Sequence, residues 1–297
     1  MVVNEKKKVR LKGNESFFIR DGWLRKGIKN ILIDNTVFTR KDAAEILGVG
    51  VNMVKSIKYW LKASGLVKDA KNKNKTYYEL TKLGEIINKY DPYFEDIFTW
   101  WIIHFNISSN FQDATVWYLF YNLLEIEKFN KDDLFIIFKS ELEKIVGSGN
   151  FSESSLKDDI NCLLRSYYFD HSEETSPEDN LISPLASLNL IYYKNGYYFK
   201  NKPDIRNLHP FAILYVIIKN MDKEKKQLDF NHLIYGECNI GKIFNMDINM
   251  VNEYIEILHN LGIIEVNRTA GLNKIYIKND EIINNELSII EKYYTNL

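Results

Sequence analysis

The sequence predicts a mainly α protein with small β-hairpin wings, in which winged helix-turn-helix modules flank a helical middle. Three observations predict it. "VNMVKSIKYWLKASGLV" at 51–67 places Val54, Ile57 and Leu61 at the three- and four-residue intervals of one helical face. "INMVNEYIEILHNLGII" at 248–264 repeats that helix 197 positions later, down to the N-M-V opening and the late glycine. Each copy runs into strand-like stretches separated by polar turn residues, the pattern of a hairpin.

In residues 1–90, "DGWLRKGIKNILID" at 21–34 reads as a helix with Trp23, Leu24, Ile28 and Ile31 on or near one face. Thr39, with Asp42 three residues on, forms an approximate capping box for a short second helix through "RKDAAEILG". "GVG" at 48–50 ends it. The third helix is expected from 51 to 64, with Gly65 as its C-cap glycine. "LV" at 66–67 and "TYYEL" at 76–80 flank "KDAKNKNK", a polar hairpin tip, and "TKLGEIINKY" resumes a helix.

Residues 91–176 read as an acidic, aromatic-rich helical domain. "YFEDIFTWWIIHFN" and "ATVWYLFYNLLEIE" carry aromatics at the spacing of core helices. "NKDDLFIIFKSELEKIV" and "SESSLKDDINCLLRSYYFD" are amphipathic, the second with a serine cap. The acidic loop "HSEETSPEDNLIS" at 171–183 marks the boundary to residues 177–297, a second winged-helix-like domain. There a hairpin turns at Asn195-Gly196, "HPFAILYVIIKNM" is a buried helix, and "IGKIFN" is a short second helix. The third helix of the echo, a wing with turn residues at 267–273, and one closing amphipathic helix, "DEIINNELSIIEKYYTNL", complete it.

Charge is divided unevenly along the chain. The net charge of −1 combines 20 Lys+Arg against 9 Asp+Glu in residues 1–90 with 19 against 31 in the remainder. A basic head on an acidic body points to a polyanion for the head. On the third helix the outer stripe is read as Asn52, Lys55, Ser56, Tyr59 and Lys62, with Lys58 at its margin. Asn reads adenine bidentately, Ser meets base edges or phosphate, and lysines and Tyr59 suit phosphate oxygens. Arg40 and Lys41 open the second helix, Lys71, Lys73 and Lys75 decorate the wing, and the "KKKVR" arm adds nonspecific attraction. A lysine-bearing helix face is also the ordinary appearance of a solvated surface. The echo weighs against that reading: Lys55, Lys58 and Lys62 become Asn252, Ile255 and His259, while Ser56 and Tyr59 become Glu253 and Glu256.

Other chemistries lack their signatures. No glycine loop ends in G-K-S/T, and no G-x-S-x-G elbow occurs. Cys162 and Cys238 have no partner at ligand spacing, so buried free thiols in a reducing cytoplasm are expected. His104 and His209 sit among aromatics, where packing is the ordinary role. Asp132-Asp133 and Asp158-Asp159 point about 100° apart on helices, and Glu178-Asp179 lies in an acidic loop. No cofactor, metal or catalytic residue is nominated. The N-terminus lacks a signal-peptide core and "FAILYVII" at 211–218 is far short of a membrane span, so a cytoplasmic protein with no membrane contact is expected.

With these residues laid out, the chain resembles an uncharacterised bacterial family, the domain of unknown function numbered four thousand and seven. "FIRDGWLRKG" at 18–27, "RKDAAEILGVGVNMVKSIKYWLKASGLV" at 40–67 and "LTKLGEII" at 80–87 carry the resemblance; "DPYFEDIFTWWIIHF", "SSLKDDINCLLRSY" and "EDNLISPLASLNLI" add to it. The resemblance implies a winged-helix N-terminal part. It also implies gene neighbourhoods shared with sulfotransfer-type enzymes, in DNA-modification or phage-defence clusters. The expected function is a non-enzymatic DNA-binding adaptor or regulator. It would hold double-stranded DNA through residues 1–90 and partner proteins through the acidic remainder. The alternatives are a protein-interaction scaffold that does not bind DNA and an accessory subunit of a partner enzyme.

Overall fold

The computed structural model describes residues 8–72, 75–169, 181–269 and 272–296, and it is mainly helical with small antiparallel sheets. The first unit comprises helices α1 (Trp23–Ile33), α2 (Ala43–Leu47) and α3 (Val51–Ala63), strands β1 (Val67–Asn72) and β2 (Lys75–Leu80), and helix α4 (Lys82–Tyr90). Trp23, Leu24, Ile28 and Ile31 of α1 are buried, as are Val54, Ile57 and Leu61 of α3, against which α1 packs. The capping box expected at Thr39 does not form. Thr39 Oγ1 donates to the Thr36 carbonyl within a 3₁₀ turn, and Asp42 is drawn to Arg40, so α2 starts without a side-chain cap. The stretch expected as a polar hairpin tip is mostly ladder, in register from Val67↔Leu80 to Asn72↔Lys75.

Helix α5 (Ile97–Ser108) is buried around its whole circumference, including Phe98, Trp101, Ile103 and Phe105, as its continuous apolar run requires. Helix α6 (Thr115–Tyr118) passes into a π-helical turn at Leu119–Leu123. The chain then leaves the helix earlier than "ATVWYLFYNLLEIE" suggested and forms β3 (Lys128–Phe129). Helix α7 (Lys131–Val146) opens with a reciprocal box between Asn130 and Asp133, and Ser152 caps α8 (Glu153–Tyr167). The loop expected as a domain boundary falls largely on residues 170–180, outside the described residues. Beyond it, β4 (Ile191–Lys194) and β5 (Tyr197–Lys200) turn through Asn195 and Gly196 at φ 53° and 84°, the left-handed pair of a two-residue hairpin. Strand β3 joins them in the order β3-β5-β4.

The last unit contains α9 (Pro210–Asn220), β6 (Gln227–Asp229), α10 (Phe230–Tyr235), α11 (Ile240–Ile243), α12 (Ile248–Asn260), β7 (Ile264–Thr269) and β8 (Leu272–Ile277). Its sheet runs β6-β8-β7. The single closing helix expected from the sequence is two, α13 (Asp280–Asn284) and α14 (Leu287–Thr295), because Asn285 leaves the helical region at φ −138°, ψ 78°.

The echo extends well beyond one helix. Helices α3 and α12 each span 13 residues, and α12, β7 and β8 all begin and end 197 positions after α3, β1 and β2. Both helices stop in the same way. Gly65 and Gly262 adopt φ 73° and 72°, their amides bond the Lys62 and His259 carbonyls, and the next amides bond Leu61 and Leu258. This paired bonding satisfies the orphan carbonyls of a helix end and requires a residue at ease in the left-handed region.

The three segments share one core. His104 on α5 is fully buried, with Nε2 2.8 Å from the Ile243 carbonyl and Nδ1 2.7 Å from the Tyr167 hydroxyl. A carbonyl only accepts, so Nε2 carries the proton and Nδ1 accepts from Tyr167. Asn122 accepts the Cys238 amide at 2.6 Å and donates to the Ser108 carbonyl at 2.9 Å. Helix α14 lies across α4 and α9, with Tyr293 stacked on Phe98 at 3.8 Å and Tyr294 on Tyr90 at 5.6 Å. His104 is packed, as expected; His209 packs against Phe98, Phe211 and Tyr293 and also N-caps α9, accepting the Phe211 amide. Both cysteines are free thiols, Cys162 buried and Cys238 half-buried.

Candidate nucleic-acid interface

Helix α3 exposes Asn52 and Lys55, with Lys58 and Lys62 half-buried on the same side. Positions 55, 58 and 62 follow the three- and four-residue helical interval, so their stems lie in one row. Lys55 Nζ is 3.2 Å from Asn52 Oδ1 and 3.5 Å from Glu15, and Lys62 pairs with Asp69 of β1 at 2.5 Å. Lys58 pairs with no described residue. Burial pushes its ammonium pKa down, and Lys62, Arg10 and Lys55 push the same way while Asp69 opposes. Lys58 thus stands beside three cations, Arg10, Lys55 and Lys62, that already pair with carboxylates, and an incoming anion would relieve its own poor solvation.

Ser56 and Tyr59 are not on the outer stripe where the helical period placed them. Both are buried, because residues 8–18 of the N-terminal arm lie over that side of α3. The Tyr59 hydroxyl donates to the Asp113 carbonyl at 2.8 Å, and Ser56 Oγ lies 3.5 Å from the Phe17 carbonyl. Arg10 crosses the Tyr59 ring at 5.1 Å and pairs with Asp113 at 2.7 Å. Gly13 approaches so closely that a Cβ there would stand 2.6 Å from the ring. Next to it, Trp60 donates to the Phe17 carbonyl and meets Trp117 edge-to-face at 5.1 Å. The sequence held one signal of this second covered side. Tyr59 and Trp60 are adjacent aromatics, about 100° apart on a helix, and both cannot belong to the stripe that faces α1. The described part of the basic arm is therefore engaged with the protein through Arg10; Lys6 and Lys7 lie outside the described residues.

The remaining expected contacts divide. Arg40 grips Asp42 with two bonds of 2.8 and 2.7 Å and reaches Asp34 at 3.2 Å, so its guanidinium is already occupied. Thr36 and then Arg40 hold the Asp34 carboxyl below its usual range. Lys41 is exposed and pairs with no described residue. Lys71 and Lys75 are exposed on neighbouring strands near the hairpin tip, opposite Thr76 and Asn72. Lys73 lies outside the described residues. Lys68, which sequence reasoning did not single out, shares the hairpin and reaches Glu79 at 3.6 Å.

The echo helix is opposite in character. On α12, Glu253, Glu256 and His259 are exposed and Ile255 is buried, so the positions equivalent to Ser56 and Tyr59 lie at the surface. Asp247, at its N-cap, accepts the Met250 amide and pairs with Lys202 at 2.5 Å.

The acidic pairs among the described residues are engaged structurally. Asp158 pairs with Lys12 at 2.7 Å. Asp159 is buried, accepts the Lys12 amide and the Asn14 side chain, and is pushed up to about 6 by burial. Asp132 and Asp133 serve the start of α7, and Glu178-Asp179 falls outside the described residues. A cavity of about 720 Å³ between α5, α8 and the turn before β4 is lined by Trp100, Tyr167, Ile191, Glu95 and Ser183, with no nucleophile–base pair among them. No described helix is long and apolar enough to cross a membrane.

A family profile described as "Protein of unknown function (DUF4007)" matches residues 11–294. No curated protein matches the chain. Among solved structures, an SspB crystal structure is similar with a TM-score of 0.84 at 18% identity, over 98% of this chain and 90% of that one. A magnesium ion-bound SspB crystal structure gives a TM-score of 0.82 at 18% identity, over 96% of this chain and 88% of that one. At this identity the likeness concerns the fold alone.

Proposed function

The chain belongs to the DUF4007 family, and from that premise we propose that it is a DNA-binding component of a bacterial DNA-modification or defence system of the sulfur type. Each helix–helix–helix–hairpin unit is read as a winged helix-turn-helix, supported by the matched order of α2-α3-β1-β2 and α11-α12-β7-β8. The first unit docks on duplex DNA. Asn52, Lys55, Lys58 and Lys62 line the helix that approaches the groove, and Lys41, Lys71 and Lys75 reach phosphates to either side. Ser56 and Tyr59 hold α3 against the arm and the middle segment and take no part in the contact. The gene neighbourhood implied by the family supports the assignment to sulfur modification.

The observation that carries this reading is Lys58, unpaired among the described residues and surrounded by Lys55, Lys62 and Arg10. The acidic outer face of α12 suits a basic partner protein, which makes the whole chain an adaptor between cytoplasmic DNA and its partners. The test is duplex affinity of the parent and of Lys58→Glu; equal affinities overturn the proposal.

The magnesium of the SspB relative has no ready counterpart here. Among the described residues no three His, Cys, Asp or Glu side chains converge to hold a metal, and Asp158 and Asp159 are engaged as described. No step of the proposed binding depends on a metal ion.

A second reading, a scaffold that contacts only proteins, is favoured by Leu32 and Ile33. These residues at the end of α1 are 59% and 75% exposed beside Lys68 and Lys82. Under that reading Leu32→Ser/Ile33→Ser abolishes co-purification with neighbouring gene products, and duplex DNA is not bound at all.

A further inference from the structure

The sheet β3-β5-β4 has one face that the core does not use. Its inner face carries the buried Ile191 and Phe129, the half-buried Tyr198 and Lys200, whose amine donates to the Leu124 carbonyl, and Tyr193, 40% exposed at the strand end. Alternation along the strands puts Lys128, Phe199 and Tyr192 in one cross-strand row of the other face, and Tyr197 and Lys194 in the next. Tyr192 and Tyr197 are 40% and 37% exposed, Lys128 and Lys194 are exposed, and Phe199 is half-buried. The Tyr192 and Phe199 rings are parallel, 8° apart in plane and 4.9 Å between centroids. Lys128 Nζ sits 4.0 Å from the Tyr197 centroid. Neither lysine pairs with a described carboxylate. The neighbouring Glu125 is bound to Lys242 at 2.6 Å, and Glu127 acts on Lys200 of the inner face.

We propose that this outer face binds single-stranded nucleic acid, with unpaired bases stacking on Tyr192, Phe199 and Tyr197 and phosphates held by Lys128 and Lys194. Aromatic platforms interleaved with cations are what a single strand needs, since every base offers a π-face and every linkage a negative charge. A duplex presents base edges in its grooves and keeps its base faces inside the stack, so exposed rings gain nothing from it. A protein partner would favour the rings but not the lysines, which are depleted from the centres of protein interfaces. The site is remote in sequence from α3 and does not rest on the duplex reading.

The test uses the full chain and a fluorescent oligo-dT of roughly 12 nucleotides, within the span of single-strand sites, followed by anisotropy with matched duplex as competitor. The parent binds the single strand, and duplex competes poorly. Tyr192→Ala and Tyr197→Ala each weaken binding roughly five- to 150-fold, the loss of one stacked base. Tyr192→Phe, which keeps the ring, binds like the parent and shows that the loss does not come from misfolding. Lys128→Glu/Lys194→Glu weakens binding and its salt dependence. The proposal is overturned if the parent does not bind oligo-dT or if the alanine variants bind as the parent does. It is equally overturned if Tyr192→Ala alters only self-association in sedimentation, which would make the face an interface between copies of the chain.

Discussion

The Tyr59 hydroxyl donates to the Asp113 carbonyl at 2.8 Å, tying the third helix of the first unit to the loop between α5 and α6. That bond changes what α3 can offer a ligand. With one side on α1 and a second under the N-terminal arm, only the row through Asn52, Lys55, Lys58 and Lys62 remains, with Val51 at its end.

Tyr59→Phe removes a buried hydrogen bond and leaves the Asp113 carbonyl to find water. The expected cost is about 1 kcal/mol of folding stability, read by urea unfolding. Duplex affinity should not change. A variant of parental stability that bound duplex several-fold more weakly would return Tyr59 to the contact surface.

Gly65→Ala and Gly262→Ala force a Cβ into the left-handed region at equivalent helix ends. Each is expected to cost about 1 kcal/mol, and the two should be alike to within the error of unfolding midpoints, because the two ends are bonded identically. Loss at Gly65 alone would mean that its contact with Asn106, and not the backbone, sets the cost.

His104 and Asp159 titrate through overlapping ranges with opposite sign. Burial lowers His104 from 6.5 to about 4. Between those values the unfolded chain holds a proton that the folded chain lacks, so this contribution is complete above 6.5 and is lost as pH falls. Burial raises Asp159 from 3.8 to about 6, so the folded chain holds the extra proton. Its contribution is complete below 3.8 and is lost as pH rises to 6. Each is worth roughly 3 kcal/mol, and they offset. Asp159→Asn should therefore expose the histidine, giving stability that climbs with pH between 4 and 6.5; His104→Gln should give the reverse slope. Urea unfolding across this range checks both, and parallel curves for parent and variants would refute the pairing.

Much of the architecture was legible because it is written locally. The spacing of Val54, Ile57 and Leu61, the glycine at 65 and the Asn195-Gly196 turn each fix their own few residues, and the echo copied them at constant offset. Strands β3 and β6, of two and three residues, were not legible; so short a strand is defined by its partner. The cation row of α3 was half legible for the same reason. The sequence marks which residues share a helical face, but the arm that covers Ser56 and Tyr59 comes from about forty residues away, and the carboxylates that occupy Arg40 are set by a turn the capping pattern misread. Adjacent Tyr59 and Trp60 were the one local hint of a second buried side.

The most direct test of the central claim is the salt dependence of duplex binding by the parent chain and Lys58→Glu, over roughly 50 to 200 mM salt. Each phosphate neutralised contributes about 0.9 to the slope of log affinity against log salt. The account predicts a steep negative slope for the parent, and for Lys58→Glu a weaker affinity with a slope shallower by about one such contact. A parent that binds duplex with no salt dependence, or a Lys58→Glu curve that superimposes on the parent's, would contradict it.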